Sequence, residues 1–291
     1  LRPLLVKGQK GLGDNLFARP FIRAAAARRE VYLETPWPEI FSDLPNVLPV
    51  AASTKLRTQA KNMARQPRGA WFVPPSSCEV VQLSYGTADL RRATIVKTLE
   101  RQLPLDAAPF VFDLPADLPP SPIAGRYVLA RPVTLRREWL NAARNPDPRA
   151  VARAVLLAQD RGDQVIGVAD LDPAAEVLEG GAPGFDEFFH RGEFAVRDLL
   201  ALVKGAAYTL GGVGWLTPAS IAAATPSFTI LGGQLAHNGP AVITDPRMNL
   251  TRAGWAMPDR PCRCEDMRHH CTKRISNLDS QFAAWVRKVA I

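Results

Sequence analysis

One carboxylate stands out for its place in the chain. In residues 6 to 25, VKGQKGLGDNLFARPFIRAA, Asp14 falls where a glycine-rich loop gives way to a helix. A carboxylate there can cap the first turn of the helix through its N–H groups. It can also stand in a cleft as a general base and take a proton from an acceptor hydroxyl. The loop is not a phosphate-binding loop of the Walker type, because no G-K-[ST] follows the glycines. Its G-x-x-G-x-G spacing also misses the dinucleotide fingerprint. Gly8, Gly11 and Gly13 let the backbone turn sharply and let a bulky group come close.

Further stretches carry groups suited to anions. GGVGWLTPASIAAATPSFTILGG (211–233) reads as a strand, a glycine turn through Gly212 and Gly214, and a helix starting near Thr217 and Pro218. Threonine suits the cap and proline the first turn, and a helix start offers N–H groups to a phosphate. In VLARPVTLRREW (128–139), Arg136 and Arg137 lie past a strand's carboxyl end, where guanidinium groups can clamp a diphosphate. His237 and Asn238 occupy a loop after another strand, suited to a sugar or phosphate. Glu193 is either a helix-start acid or a ligand for ribose hydroxyls. In PCRCEDMRHHCTK (261–273), Cys262, Cys264 and Cys271 with His269 or His270 offer four ligands to a structural zinc; free thiols or a local disulfide are the alternatives.

The elements that must position these groups alternate. Strands are expected at 3–8, 31–36, 70–75 and 79–85, with helices at 15–29 and 54–66. Residues 106–123, DAAPFVFDLPADLPPSPI, are crowded with proline and resist regular structure. Beyond them come strands at 126–133, 164–170, 207–212 and 227–233, helices at 148–162, 196–206 and 216–225, and a terminal helix at 276–290. Strands separated by helices imply parallel sheets with helical crossovers. The expected architecture is α/β: two Rossmann-like domains, 1–122 and 123–275, facing a cleft, with a C-terminal helix at 276–291. Ligands in such sheets bind at the carboxyl ends of the strands.

The chain has 291 residues, with 36 Lys and Arg against 28 Asp and Glu, a net charge of +8. That excess favours an acidic partner. Residues 55–68 hold five basic residues and no acid. Lys10 together with Lys55, Arg57, Lys61 and Arg65 is the expected acceptor-binding set. No apolar run approaches the roughly 20 residues of a membrane helix, so a cytoplasmic protein without a transmembrane segment is expected. Four cysteines in a chain this long do not make a disulfide scaffold.

Taken in order, these stretches resemble the family 9 glycosyltransferases, the heptosyltransferases, which have the GT-B fold. The family's opening GDxL…P.IRA motif is matched by GLGDNLFARPFIRA. Its basic motif after the hinge is matched by LRREW, and its glycine-rich helix start by GVGWLTPASIAAATP. The family's histidine at that helix start is replaced by Pro218. The resemblance implies an inverting transfer of a sugar from a UDP- or ADP-linked donor to a hydroxyl. Asp14 would be the base, and Arg136, Arg137, Gly212, Gly214 and Thr217 would hold the diphosphate without a catalytic metal. The acceptor is expected to be a polyanion: a phosphorylated lipopolysaccharide-core glycan or DNA with hydroxymethylated bases. The alternative is a non-catalytic nucleotide- or nucleic-acid-binding protein on a degenerate GT-B fold. A sugar-nucleotide epimerase would need further acids and a histidine in the cleft.

Overall fold

The computed structural model describes residues 1–290. The first half runs β1 (Leu4–Lys7), α1 (Leu12–Ala26), β2 (Val31–Thr35), β3 (Val47–Ala51), α2 (Arg57–Arg65), β4 (Glu79–Gln82), α3 (Thr87–Leu90) and α4 (Ile95–Gln102). Its four strands form a parallel sheet in the order β3-β2-β1-β4. Strand β3 was not expected, because Pro49 interrupts its sequence. It is an edge strand, where a missing N–H costs no ladder bond. The strand expected at 70–75 is absent; that stretch is irregular and touches β3 through one bond, Phe72 N–H to Pro49 O (2.8 Å).

The second half contains β5 (Val128–Ala130), β6 (Thr134–Arg136), α5 (Pro148–Gln159), β7 (Val165–Val168), β8 (Glu176–Leu178), β9 (Glu187–Phe189) and α6 (Val196–Gly205). There follow β10 (Tyr208–Gly212), α7 (Leu216–Ala222), β11 (Ser227–Ile230), α8 (Leu235–Asn238), α9 (Pro240–Ile243), β12 (Ala253–Ala256) and α10 (Leu278–Val289). Six strands make a parallel sheet ordered β12-β11-β10-β5-β7-β9. The expected strand at 126–133 is shorter: after β5 the chain leaves the sheet, and β6 pairs antiparallel with β8. Two parallel sheets with helical crossovers are the α/β architecture that the alternation implies.

Helix α1 shows how the halves are joined. Leu16, Phe17, Phe21 and Ala24 recur at helical spacing and are buried. Arg19 is also fully buried. It donates to both oxygens of Asp43 (2.8 and 2.7 Å), to Ile40 O (2.6 Å) and to Asp113 (3.1 Å). Such a buried cation is tolerable only because its donors are matched. Asp113 lies in the proline-rich segment, whose Phe110 and Phe112 stack near Phe21 and Phe17. That segment has no helix or strand, as expected, yet it is strapped along α1.

One apolar cluster runs from Leu4, Phe21 and Val96 in the first half to Leu129, Leu200 and Leu216 in the second. Helix α1 packs on α7 there, so the two sheets are held against each other by shared core. The other face of the second sheet is covered by α5 and α10, with Tyr208, Phe228, Phe282 and Trp285 clustered beneath. No helix among the described residues is long and apolar enough to cross a membrane.

Candidate active site

A cavity of about 860 Å³ opens where the carboxyl ends of the two sheets face each other. Its walls are the segments that follow β1, β2, β4, β5, β7, β10 and β11. This is where open parallel sheets present ligand-binding groups, because each strand there hands over to a loop or helix start.

Asp14 stands on the wall formed by the first sheet. It is the third residue of α1, whose N-cap is Gly11. The carboxylate folds back over that turn, and a Cβ at Gly11 would overlap Asp14 Oδ2. Glycine at position 11 therefore lets the carboxylate take this place, and any larger residue would push it aside. The Tyr85 hydroxyl, just past β4, donates to Asp14 Oδ1. Burial pushes the Asp14 pKa above the usual carboxylate value, although Tyr85, Arg144 and the Gly11 backbone pull it part of the way back. Burial, with the Asp14 charge beside it, holds the Tyr85 phenol well above its ordinary range, so it stays protonated. A proton acceptor of enhanced basicity facing a cavity is suited to base catalysis.

The opposite wall is cationic. Arg131 follows β5, with Nη2 3.7 Å from Glu176 and 3.3 Å from Thr134 Oγ1. Arg136 donates to Glu176 at 2.8 Å. Glu176 is itself buried and also accepts from Thr134 (2.7 Å). Arg144 lies over the Trp139 ring, 5.7 Å from its centroid, and its buried Nε has no hydrogen-bond partner. Burial lowers the Arg131 pKa to about 10; Glu176 works against that shift, and Arg136 and Arg144 add to it. Burial lowers Arg144 as well, with Asp14 and Tyr85 opposing. Arg131 and Arg136 share one carboxylate, Glu176, and Arg144 has no ion pair among the described residues, so positive charge is left over for an anion.

The glycine turn after β10 completes the wall. A Cβ at Gly212 would come within 2.7 Å of Pro146, and one at Gly214 within 2.8 Å of Arg131 Nη1. Both glycines let the arginine-bearing loop close onto the turn. His237 and Asn238, in α8, also line the cavity, and His237 Nε2 is buried without a hydrogen bond.

Several expected residues lie elsewhere. Arg137 is exposed and does not line the cavity; its N–H donates to Ala175 O (2.8 Å). Strand β6 ends at Arg136, and Arg137 falls in the turn that follows, which carries it away from the cleft. Thr217 is no cap. Helix α7 begins at Leu216, and Thr217 is buried 3.4 Å from Thr229 Oγ1. Glu193 is exposed, and its oxygens accept from the N–H groups of His190 (3.2 Å) and Arg191 (2.9 Å), outside the main cavity. The basic row is not an open surface. Arg57 and Lys61 reach Asp170 (3.1 and 3.0 Å), and Arg65 reaches Gly192 O (2.6 Å) and Phe194 O (3.1 Å), all in the second half. These residues tie the halves together because acids and carbonyls distant in sequence are folded opposite them. Lys10 lines the cavity with its ammonium on Ser53 O, while Lys55 is exposed and outside it. Arg131, Arg144 and Tyr85 escaped the reading of the sequence. Arg131 and Tyr85 each follow a strand, which was the available signal; Arg144 had none.

Cys262, Cys264, His269 and Cys271 come together, their ligand atoms all within 4.8 Å of one another. Cys264 and Cys271 sulfurs are 3.3 Å apart, and His269 Nδ1 is 3.3 Å from Cys271 and 3.5 Å from Cys262. All four cysteines of the chain, Cys78 included, are free thiols. His270 is not one of the four grouped ligands.

No protein-family model and no curated protein matches the chain. Solved structures do. The iron-containing dodecameric glycosyltransferase TibC from enterotoxigenic E. coli is 16% identical with a TM-score of 0.62, over 99% of this chain and 78% of that one. E. coli ADP-heptose LPS heptosyltransferase II is 12% identical with a TM-score of 0.54, over 100% of both chains. E. coli heptosyltransferase WaaC, in complex with ADP-2-deoxy-2-fluoro heptose, is 14% identical with a TM-score of 0.55, over 99% of each. The chain has the GT-B fold of the heptosyltransferases.

Proposed function

We propose that this protein is an inverting glycosyltransferase that moves a sugar from a nucleotide-sugar donor to an acceptor hydroxyl. The observation that carries the reading is one cavity with Asp14 on one wall and Arg131, Arg136 and Arg144 on the other. In the reaction the acceptor oxygen attacks the anomeric carbon as the bond to the donor's diphosphate breaks. The electron pair leaves with the nucleoside diphosphate, and the acceptor proton passes to Asp14. Attack opposite the leaving group inverts the anomeric centre. The three guanidinium groups meet the negative charge that develops on the diphosphate, and losing one such preorganised donor costs roughly 10²–10³ in rate.

The donor we favour is ADP-linked, because complexes of TibC and WaaC with ADP-heptose or its analogue share this fold. The acceptor we favour is a phosphorylated lipopolysaccharide-core glycan. Bonding of Arg57, Lys61 and Arg65 across the halves weighs against the DNA reading, which needs a row of unengaged cations along a phosphate backbone. The test is a panel of nucleotide sugars with two acceptors, lipopolysaccharide core and hydroxymethylated DNA, read by mass. A gain of one sugar on the core supports the assignment. A gain on DNA alone moves the acceptor, and nucleotide binding without gain on any acceptor supports the non-catalytic alternative.

We further propose that Cys262, Cys264, His269 and Cys271 hold a structural metal. A tetrahedral site with sulfur bonds of about 2.3 Å sets neighbouring donors about 3.8 Å apart, close to the spacings found here. Three thiols and one imidazole suit zinc; the fold relative TibC contains iron. Elemental analysis of purified protein, showing zinc or iron at one per chain, supports the site; its absence refutes it.

A further inference from the structure

We infer that Tyr85 is a positioning residue that acts through Asp14: its phenol O–H holds carboxylate Oδ1 and so aims the remaining lone pairs of Asp14 into the cavity. The inference takes its chemistry from the sugar-transfer reading but its geometry from the fold alone.

The phenol is itself well anchored. Gln102, on α4, accepts from Ser84 N–H (2.8 Å) and donates to Ser84 O (2.6 Å). Gln9, in the loop before α1, donates to Tyr85 O (2.7 Å), and Leu83 N–H donates to Lys7 O (2.9 Å). The residues around Tyr85 are thus pinned by β1, by the β1–α1 loop and by α4. A carboxylate in the first turn of a helix has two side-chain torsions, the second of them broad, and a directional bond narrows it. Without the phenol, Asp14 keeps its place on α1 and loses its aim. General-base transfer requires hydrogen-bond reach to the acceptor oxygen, so lost aim appears as lost rate.

The groups that act on Asp14 are few. Tyr85 approaches from the end of β4, Arg144 from the loop after β6, and the Gly11 backbone from the start of α1. Lys10 and His237 line the same cavity, with Lys10 bonded to Ser53 O. Of these, Tyr85 alone hydrogen-bonds the carboxylate through a side chain among the described residues. Burial keeps the phenol protonated, so it serves as a donor and does not compete for the acceptor proton.

The test is Tyr85→Phe in protein labelled with ¹³C at aspartate carboxyls, with Asp14→Asn used to assign the Asp14 resonance. Removing one hydrogen bond from an ionised carboxylate raises its titration midpoint by about 1 pH unit, a tenfold change in proton affinity. The acid limb of the transfer rate should move up by the same amount. Plateau kcat should fall about tenfold, with the donor KM unchanged because the donor sits on the other wall. Gln102→Ala, which loosens the anchor and leaves the hydroxyl, should shift the midpoint the same way by less, and thermal melting controls for folding. A midpoint equal to wild type in a folded Tyr85→Phe protein overturns the inference and leaves the transfer reading intact. A raised midpoint in a protein whose wild type transfers no sugar upholds Tyr85 as the holder of Asp14 and overturns the transfer reading.

Discussion

Replacing Arg131 by methionine should stabilise the protein and weaken donor binding at once. The side chain is kept charged where burial lowers its pKa to about 10. A shift of that size corresponds to about 3 kcal/mol against holding the charge. The side chain keeps 21% exposure, so water recovers part of this, and about 1–2 kcal/mol is the expected gain. The sign follows from linkage. A cation with a lowered folded pKa destabilises in full below that pKa, near pH 10, and the penalty fades as pH rises towards the ordinary arginine range. The gain is therefore constant across the neutral range. Glu176 keeps Arg136 and Thr134 at 2.8 and 2.7 Å, so the substitution does not strand its charge. Donor affinity moves the other way: losing one charge-assisted bond to a diphosphate costs about 1.5–3 kcal/mol, or roughly 10–100-fold. Urea unfolding with and without ADP reads both effects. A destabilised variant with unchanged ADP affinity would show that Arg131 serves Glu176 and not a donor, and the reasoning about this wall would fail.

Asp14→Asn should cut transfer by roughly 10²–10⁴-fold while leaving nucleotide affinity in place, as single-turnover rates and calorimetry will show. Because burial raises the Asp14 pKa, its charge opposes folding at neutral pH and not below the unfolded value of 3.8, so this variant should also melt higher near neutrality and equally in acid. Gly11→Ala should push the Asp14 carboxylate from its place, lowering kcat more than it raises the donor KM in steady-state kinetics. Chelation of the metal-loaded protein, or Cys264→Ser, should lower Tm if the four-ligand cluster is a structural metal site; an unchanged melt together with no metal argues for simple thiols.

Much of this was legible in the sequence because it is local. The alternation of apolar runs and alanine-rich helices marks parallel sheets, and GLGD marks the turn at which Asp14 emerges. Distance along the chain accounts for several of the failures. Residues 55–68 read as a free basic run, yet Asp170, Gly192 and Phe194, more than a hundred residues on, take up Arg57, Lys61 and Arg65. Arg136 and Arg137 read as a pair, but the strand that pairs with β8 ends at Arg136 and leaves Arg137 in the turn beyond it. Arg144 carries no local mark, since only the folding of its loop over Trp139 brings it to the cavity. Thr217 shows how a sound local rule can miss by two residues, because the helix starts at Leu216 and its cap position is Trp215. The cysteines were found as a cluster, and their convergence depended on a loop that no pattern predicts.

In the proposed reaction, a single displacement, Asp14 takes the acceptor proton while the arginine wall holds the leaving diphosphate. Proton NMR of the product formed from an anomerically pure nucleotide sugar tests this most directly, with nucleoside diphosphate release followed in the same tube. One nucleoside diphosphate per sugar transferred is expected, with a product whose anomeric configuration is opposite to the donor's. A product with the donor's configuration retained would contradict a single displacement.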